Sequence, residues 1–531
     1  MTAPGDERLT GWRFLAFSAA LASANVVALS NVPGYTILVP YAAGSLQGVT
    51  PSFGTWGTTD HMMGIVLGLP LARWLAGRYG AWRVYVAACL FYALFALACA
   101  WSATIWVFVP MRFLLGVAGG VLLPLGQGLA LSEIPEKYRG YGVAWWGVLS
   151  MAPFTLGVFM GGFWAEYAGW RMLFYSDVFC MLTVAAVVGA ALYGRPWKRR
   201  VTRFDAIGFI LIAIVLVGVQ TILNQGNDFD WFDSPFLTGV LVAVIIAFPV
   251  FVLWELGERF PVLDIRLFGY RNYAVAAFCS LAGFLVIQGT LSVFIGQLQT
   301  LLGYTSSLAG VVYLTMIVLA APLVSIVHLV VKKIDLRYLA SLNFIGFAVT
   351  LTWLAKFDKA ASFDQIATPM LFFGFFLATF FAPTAAIAVQ GLSGKRLIRA
   401  AEELAMLRTA FGAYGITWQA VMQFRGAPFH QLGMADHFGG RSYPELDVMG
   451  QLSSKLQGLG MSESVARAQM GRLMRQQALL LGLDDAFYFG ALVFVLLAVV
   501  VWLARPAPPA GKPARKPSLE RLEAEELMEQ P

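Results

Sequence analysis

Between Phe14 and Ala504 the chain alternates long apolar runs with short polar breaks. About fourteen of the runs are long enough to cross a hydrocarbon core of roughly 30 Å as helices. A first group of six lies near residues 14–40, 56–76, 84–101, 105–131, 141–164 and 171–194 and closes with the basic stretch GRPWKRRVTRF. Two runs follow near 206–225 and 235–255. A second six occupies about 273–296, 308–330, 338–354, 367–391, 404–424 and 485–504. The order six, two, six predicts an all-α integral membrane protein in which two pseudo-symmetric bundles flank an inserted pair of helices. The expected divisions are residues 1–204, 205–255 and 256–504, followed by a Pro-rich and then charged tail, 505–531, expected to be disordered.

One connection departs from the short-loop pattern. Residues 425–484 form a long polar insertion, and loops of that length are usually functional or disordered. Within it, SESVARAQMGRLMRQQALL places Ala466, Met470, Leu473 and Ala478 on one helical stripe, opposite Arg467, Arg472 and Gln476. That pattern predicts an amphipathic helix lying on the membrane or against a partner.

Composition agrees with a membrane chain. Of 531 residues 59% are hydrophobic and 13% charged, and mean hydropathy is +0.70. The net charge of +7 does not point to nucleic acid, because Lys and Arg collect in alternate loops. Arg78, Arg83, Lys137, Arg139, the 194–204 stretch, Arg259 to Arg271 and GKRLIR lie on one side, whereas loops 41–54, 226–234 and 297–306 carry none. By the positive-inside rule both termini are expected in the cytoplasm. The first apolar run is too long for a signal-peptide core and is read as a retained helix. Cys89, Cys99, Cys180 and Cys279 lie in apolar stretches without ligand spacing, so packing is the expected role.

The candidate chemistry is a handful of polar residues inside the runs. WGTTDHMMGIVLGLP sets Asp60 and His61 near the start of the second helix, with Asp60 about 6 Å below the boundary at 1.5 Å per residue. Gly64 and Gly68 follow on the same face, a spacing that lets another helix approach. Arg112 and Asp177, each seven residues into its run, fall roughly 10 Å down, with Asn31 slightly deeper. Two acids, a base and an amide thus form one polar layer, in which a carboxylate is poised to bind and release a proton. Snorkelling to the interface is the competing explanation for each. Gln288 and Arg408 are the corresponding cavity and polar-layer candidates in the second bundle. In GVLSMAPFTLGVFMGGFWAEYAGWR, Gly147, Pro153, Gly157, Gly161 and Gly162 should kink one span and permit tight helix contact. His430 and His437 form no recognised metal site, and no cofactor motif or Walker sequence is present.

These motifs resemble those of drug:proton antiporters of the major facilitator superfamily, in the fourteen-helix EmrB/QacA branch and most like its EmrB type. Arg112, Gly116, Gly119 and Gly120 fit the fourth-helix Arg-glycine motif, and the stretch from Pro153 to Gly162 fits the antiporter motif. FDAIGFILIAIVLVGVQTILNQGNDFDWFDSP, WELGERFPVLDIRLFGYRN, LQTLLGYTSSLAG and QQALLLGLDDAFYF resemble signatures of the branch. The departures are Asn31 where the first helix usually has an Asp, and Arg73 and Gly77 where a glycine and an acid are usual.

The resemblance implies the major facilitator fold, a bacterial inner-membrane location and proton-coupled efflux of amphipathic or aromatic compounds. It further implies partnership with a periplasmic membrane-fusion adaptor and an outer-membrane channel. With the customary acid replaced by Asn31, Asp60 becomes the expected proton carrier, assisted by Arg112, with His61 as a relay. An exporter or importer of an endogenous siderophore or metabolite is the alternative within the class, and a non-transporting membrane sensor or scaffold is the alternative outside it. No paired carboxylates or nucleophile motif suggests an enzyme.

Overall fold

A backbone in lipid must satisfy its N–H and C=O groups internally, so the apolar runs fold as helices. The computed structural model describes residues 9–506 except 48, 135–137, 196–202, 331–333, 358–360 and 439–446. Most of the expected tail after Arg505 therefore lies outside the described residues. The first group of helices is α1 (Gly11–Ser45), α2 (Pro51–Gly54), α3 (Trp56–Tyr79), α4 (Ala81–Trp101), α5 (Ile105–Glu133), α6 (Arg139–Met151), α7 (Pro153–Tyr167) and α8 (Met172–Leu192). The inserted pair is α9 (Ala206–Gln225) and α10 (Pro235–Gly257). The remainder are α11 (Arg271–Thr300), α12 (Ser306–Val330), α13 (Leu336–Leu354), α14 (Phe363–Ala388), α15 (Gly394–Phe438), α16 (Val448–Gly458) and α17 (Glu463–Val500).

Among the described residues ten helices are long and apolar enough to span a membrane, or eleven when α6 and α7, bent by 41°, count as one. The predicted spans in α3, α13 and α15 are less apolar, and two of them carry the candidate chemistry: Asp60 and His61 in α3, and Arg408 in α15. The helix count is compatible with the fourteen expected. The bend falls at Ala152–Pro153, where proline cannot donate the hydrogen bond that would continue α6.

Packing follows the small residues. Gly64 and Gly68 of α3 interlock with Gly116 and Gly120 of α5. A Cβ at any of these four would strike a backbone carbonyl of the facing helix, those of Phe113, Val117, His61 and Ile65 respectively. The resulting close approach carries the His61 backbone onto α5. In the same way Gly157 and Gly161 of α7 lie against the Ser30 and Gly34 carbonyls of α1, and Gly162 lies against that of Ser306 at the start of α12. In the second group, Gly415 of α15 abuts Leu285 of α11, and Gly374 of α14 abuts Met316 of α12. The inserted helices pack on each other, with α9 also against α3 and α15. Leu253 and Ile245 of α10 are exposed, as suits a lipid-facing surface.

The long insertion differs from its expectation. α15 continues unbroken past Arg425 to Phe438, and α17 begins at Glu463 and runs on into the last apolar stretch. The expected amphipathic helix is thus the first part of α17 rather than a separate element. Ala466, Met470 and Ala478 are buried as the stripe predicted, but Leu473 is exposed.

Candidate functional site

A cavity of about 2500 Å³ lies between the first and second groups of helices. Arg203, Arg259, Arg266, Arg396 and Arg399 line its mouth, so it reaches the face that carries the basic loops. At the opposite end the two groups are joined. The Tyr41 hydroxyl lies 2.7 Å from Ser306 Oγ, and Gln299 Nε2 donates to Ser306 Oγ at 2.9 Å and to the Ile37 carbonyl at 3.4 Å. The Ser307 N–H donates to Glu166 Oε2 at 3.2 Å. Small residues complete this seam: Gly162 lies under the Ser306 carbonyl, and Gly310 of α12 abuts Phe159 of α7. The cavity is therefore open on one face and closed on the other.

Behind the wall formed by the first group sits a buried polar cluster. Asn31 is its centre: its amide Nδ2 donates to Asp177 Oδ2 at 2.5 Å, and its Oδ1 accepts from Arg112 Nη1. Arg112 Nε donates to the Gly57 carbonyl at 3.0 Å. The guanidinium lies over the rings of Tyr35 at 4.4 Å and Phe174 at 5.5 Å. His61 Nδ1 lies 3.1 Å from the Arg112 carbonyl oxygen. A carbonyl can only accept, so the imidazole carries its proton on Nδ1. Asn31, Arg112 and His61 are fully buried, and Asp177 nearly so.

Asp60 stands apart from this cluster. It is 7% exposed, its Oδ1 is buried without a hydrogen-bond partner, and the neighbouring polar side chain is the indole of Trp56, one turn away. The expected partnership of Asp60 with Arg112 is thus not the one formed, because the guanidinium is taken up by Asn31 of α1 and, on α3 itself, by the Gly57 carbonyl. Asn31, expected in the cavity or the polar layer, belongs to the layer and not to the cavity wall. Tyr35, which packs under Arg112, escaped sequence reasoning, although it follows Asn31 by one helical turn and shares its face. Ser306 and Gln299 also escaped as individual residues, though both belong to the quoted stretch LQTLLGYTSSLAG.

Gln288 and Arg408 do line the cavity. Arg408 of α15 lies over Phe381 at 4.4 Å and Phe284 at 5.6 Å. Its Nε is buried without a hydrogen-bond partner, and no carboxylate among the described residues lies against it. Gly412, one turn on, is flanked by Phe284 and Gln288, which brings the Gln288 side chain to the same patch of wall. At the mouth, Arg73 of α3 pairs with Glu402 of α15 across the two groups. Gly147 lies on the cavity wall near the bend that Pro153 makes.

Comparison with known proteins agrees with this architecture. A model of the Major Facilitator Superfamily matches residues 14–426. The multidrug export protein EmrB of Escherichia coli (strain K12) is 27% identical over 504 residues, covering 95% of this chain and 98% of that one. The fatty acid resistance protein FarB of Neisseria gonorrhoeae is 27% identical over 470 residues, covering 88% and 92%. Among solved structures, the inward-open xylose transporter XylE from E. coli superposes with a TM-score of 0.55 at 16% identity, covering 96% and 98%.

Proposed function

This chain belongs to the major facilitator superfamily, and from that premise we propose that it is a multidrug efflux transporter. It exports small amphipathic or aromatic compounds across the inner membrane in exchange for protons. It is a multi-pass membrane transporter and not an enzyme. The observation that carries the reading is the large cavity open on the basic face and sealed on the other by contacts of α1 and α7 with α11 and α12. That arrangement is one of the two end states an alternating-access carrier requires. With the basic loops and both termini in the cytoplasm, the open side is the one that loads an outgoing compound.

Proton coupling is assigned to the buried acids. Asp177 is tied through Asn31 to Arg112, so a proton arriving on Asp177 changes the charge balance of a cluster joining α1, α5 and α8. Asp60 is a second buried carboxylate on α3, with no ionic partner among the described residues to hold it deprotonated. A membrane potential supplies about 2.3 kcal/mol per charge per 100 mV, which sustains roughly a fifty-fold gradient per proton. The helical extension formed by α15 and α17 exposes Phe429, Leu432 and Val465, and we assign that surface to a periplasmic adaptor of a tripartite pump.

The test is substrate-induced proton movement in proteoliposomes holding the full chain. Wild-type protein should acidify or alkalinise the lumen according to orientation, and Asp177→Asn should abolish the signal while substrate still binds. If the Asp177→Asn and Asp60→Asn variants both couple normally across a pH series, neither acid carries the proton. If wild-type protein binds compounds without moving protons or substrate, the transporter reading fails in favour of a sensor.

A further inference from the structure

We propose that Arg408, with Gln288 beside it, forms the binding site for the charged group of a cargo that is an organic anion with an aromatic or otherwise apolar body. The proposal deepens the efflux reading and rests on it for the use made of the site, but the binding site itself can be tested alone.

The argument is a charge account of the cavity. Four carboxylates line it, all near the mouth, and each has at least one partner there, although Asp205 Oδ2 and Glu403 Oε2 are left without one among the described residues. Asp205 accepts from the Gly208 N–H and from Trp254 Nε1, Asp264 lies 3.8 Å from Arg399, Glu402 pairs with Arg73, and Glu403 accepts from the Asp264 N–H. Arg408 is five residues beyond Glu403 on α15, about 7.5 Å further along the helix, and no carboxylate among the described residues lies against it. An arginine in such a place has lost part of its hydration, and the ring faces of Phe381 and Phe284 replace only a little of it, roughly 0.5–2 kcal/mol. Its donors are fixed in a planar fork suited to a carboxylate or sulfonate. An oxyanion entering from the mouth would complete those donors, and Gln288 could donate to the remaining oxygen lone pairs. Phe284, Phe381 and Leu291 supply an apolar wall for the body of the same molecule. A cationic compound meets the opposite situation: like charge at the deepest charged point of the wall, with the carboxylates held back near the mouth.

The buried cluster around Asn31 is excluded from this role because its residues do not line the cavity. The Arg73–Glu402 pair is excluded because each member already has its counter-charge.

The experiment compares two probes with the same aromatic body and opposite heads, 2-naphthylacetate and (2-naphthylmethyl)trimethylammonium. Binding to full-length protein in nanodiscs is measured by calorimetry for wild type, Arg408→Gln and Arg408→Lys. The expected result is a preference of wild type for the anion by tenfold or more, loss of that preference in Arg408→Gln, and retention of most of it in Arg408→Lys. The proposal is overturned if wild type binds the cation as well as the anion, or if Arg408→Gln keeps the preference. Should Arg408→Gln fail to fold, the wild-type preference and the Arg408→Lys variant still decide the matter, since Arg408→Lys keeps charge without the fork. Efflux into inverted vesicles separates the two readings. Arg408-dependent anion binding without transport would sink the exporter and leave the site, whereas transport of the cation alone would sink the site and leave the exporter.

Discussion

Arg112 and Arg408 are nearly matched in their surroundings and differ in how far their donors are used. Each guanidinium lies over two aromatic rings, the nearer at 4.4 Å in both cases and the farther at 5.5 and 5.6 Å. Arg112 is closed off from the cavity and held by Asn31 and the Gly57 carbonyl beside Asp177. Arg408 lines the cavity with no carboxylate among the described residues against it. The comparison separates two uses of one side chain. A buried cation bonded to neighbouring helices ties them together even with Nη2 left over, whereas one on a cavity wall is, on our proposal, completed by what enters.

Removing each arginine gives the largest contrast. Arg112→Ala leaves Asn31 Oδ1 and the Gly57 carbonyl without their donor and Asp177 without its nearby buried cation, and should lower stability by about 3–5 kcal/mol. The change should appear as a large drop in the unfolding temperature of the purified protein. Arg408→Ala strands nothing and should stay within about 1 kcal/mol of wild type. Equal destabilisation by the two would erase the distinction. Next in size, Asn31→Leu keeps the branched shape but removes both the acceptor for Arg112 and the donor to Asp177. It should cost about 2–3 kcal/mol, measured the same way, and leave anion binding untouched. Lysine sharpens the comparison further: Arg112→Lys should lose about 2 kcal/mol because a point charge cannot serve both the Gly57 carbonyl and Asn31. The smallest effect belongs to a third arginine. Arg73 is paired with Glu402, but the two side chains are 55% and 44% exposed, so Arg73→Ala should change stability by less than about 1 kcal/mol.

Much of this arrangement can be read along the chain because depth in a membrane is a matter of counting. A rise of 1.5 Å per residue brings Arg112, Asp177 and Asn31 to one level before any packing is known. What counting cannot supply is direction around the helix. Asp60 sits on the same level but belongs to a different environment, since the Gly64–Gly116 and Gly68–Gly120 contacts set the rotation of α3 against α5. The two phenylalanines around Arg408 come from α11 and α14, which meet α15 only in the folded bundle. The segment after Arg425 fails for another reason. Apolarity marks where a helix leaves lipid, not where it stops, and both α15 and α17 extend well beyond their apolar portions. Leu473 is exposed on that extension because a regular stripe does not ensure a partner for each of its members.

The unfinished charge of Arg408 also has an electrical side. An empty cavity holds one positive charge that an anion-loaded cavity does not, so the voltage across the membrane acts differently on the two forms. With the inside negative, turning the empty carrier outward moves that charge against the field, at a cost of up to about 2.3 kcal/mol per 100 mV. The loaded carrier makes the same excursion with its charge cancelled. A resting cell would therefore hold idle carriers facing the cytoplasm, ready to load, and release that bias only when cargo has arrived.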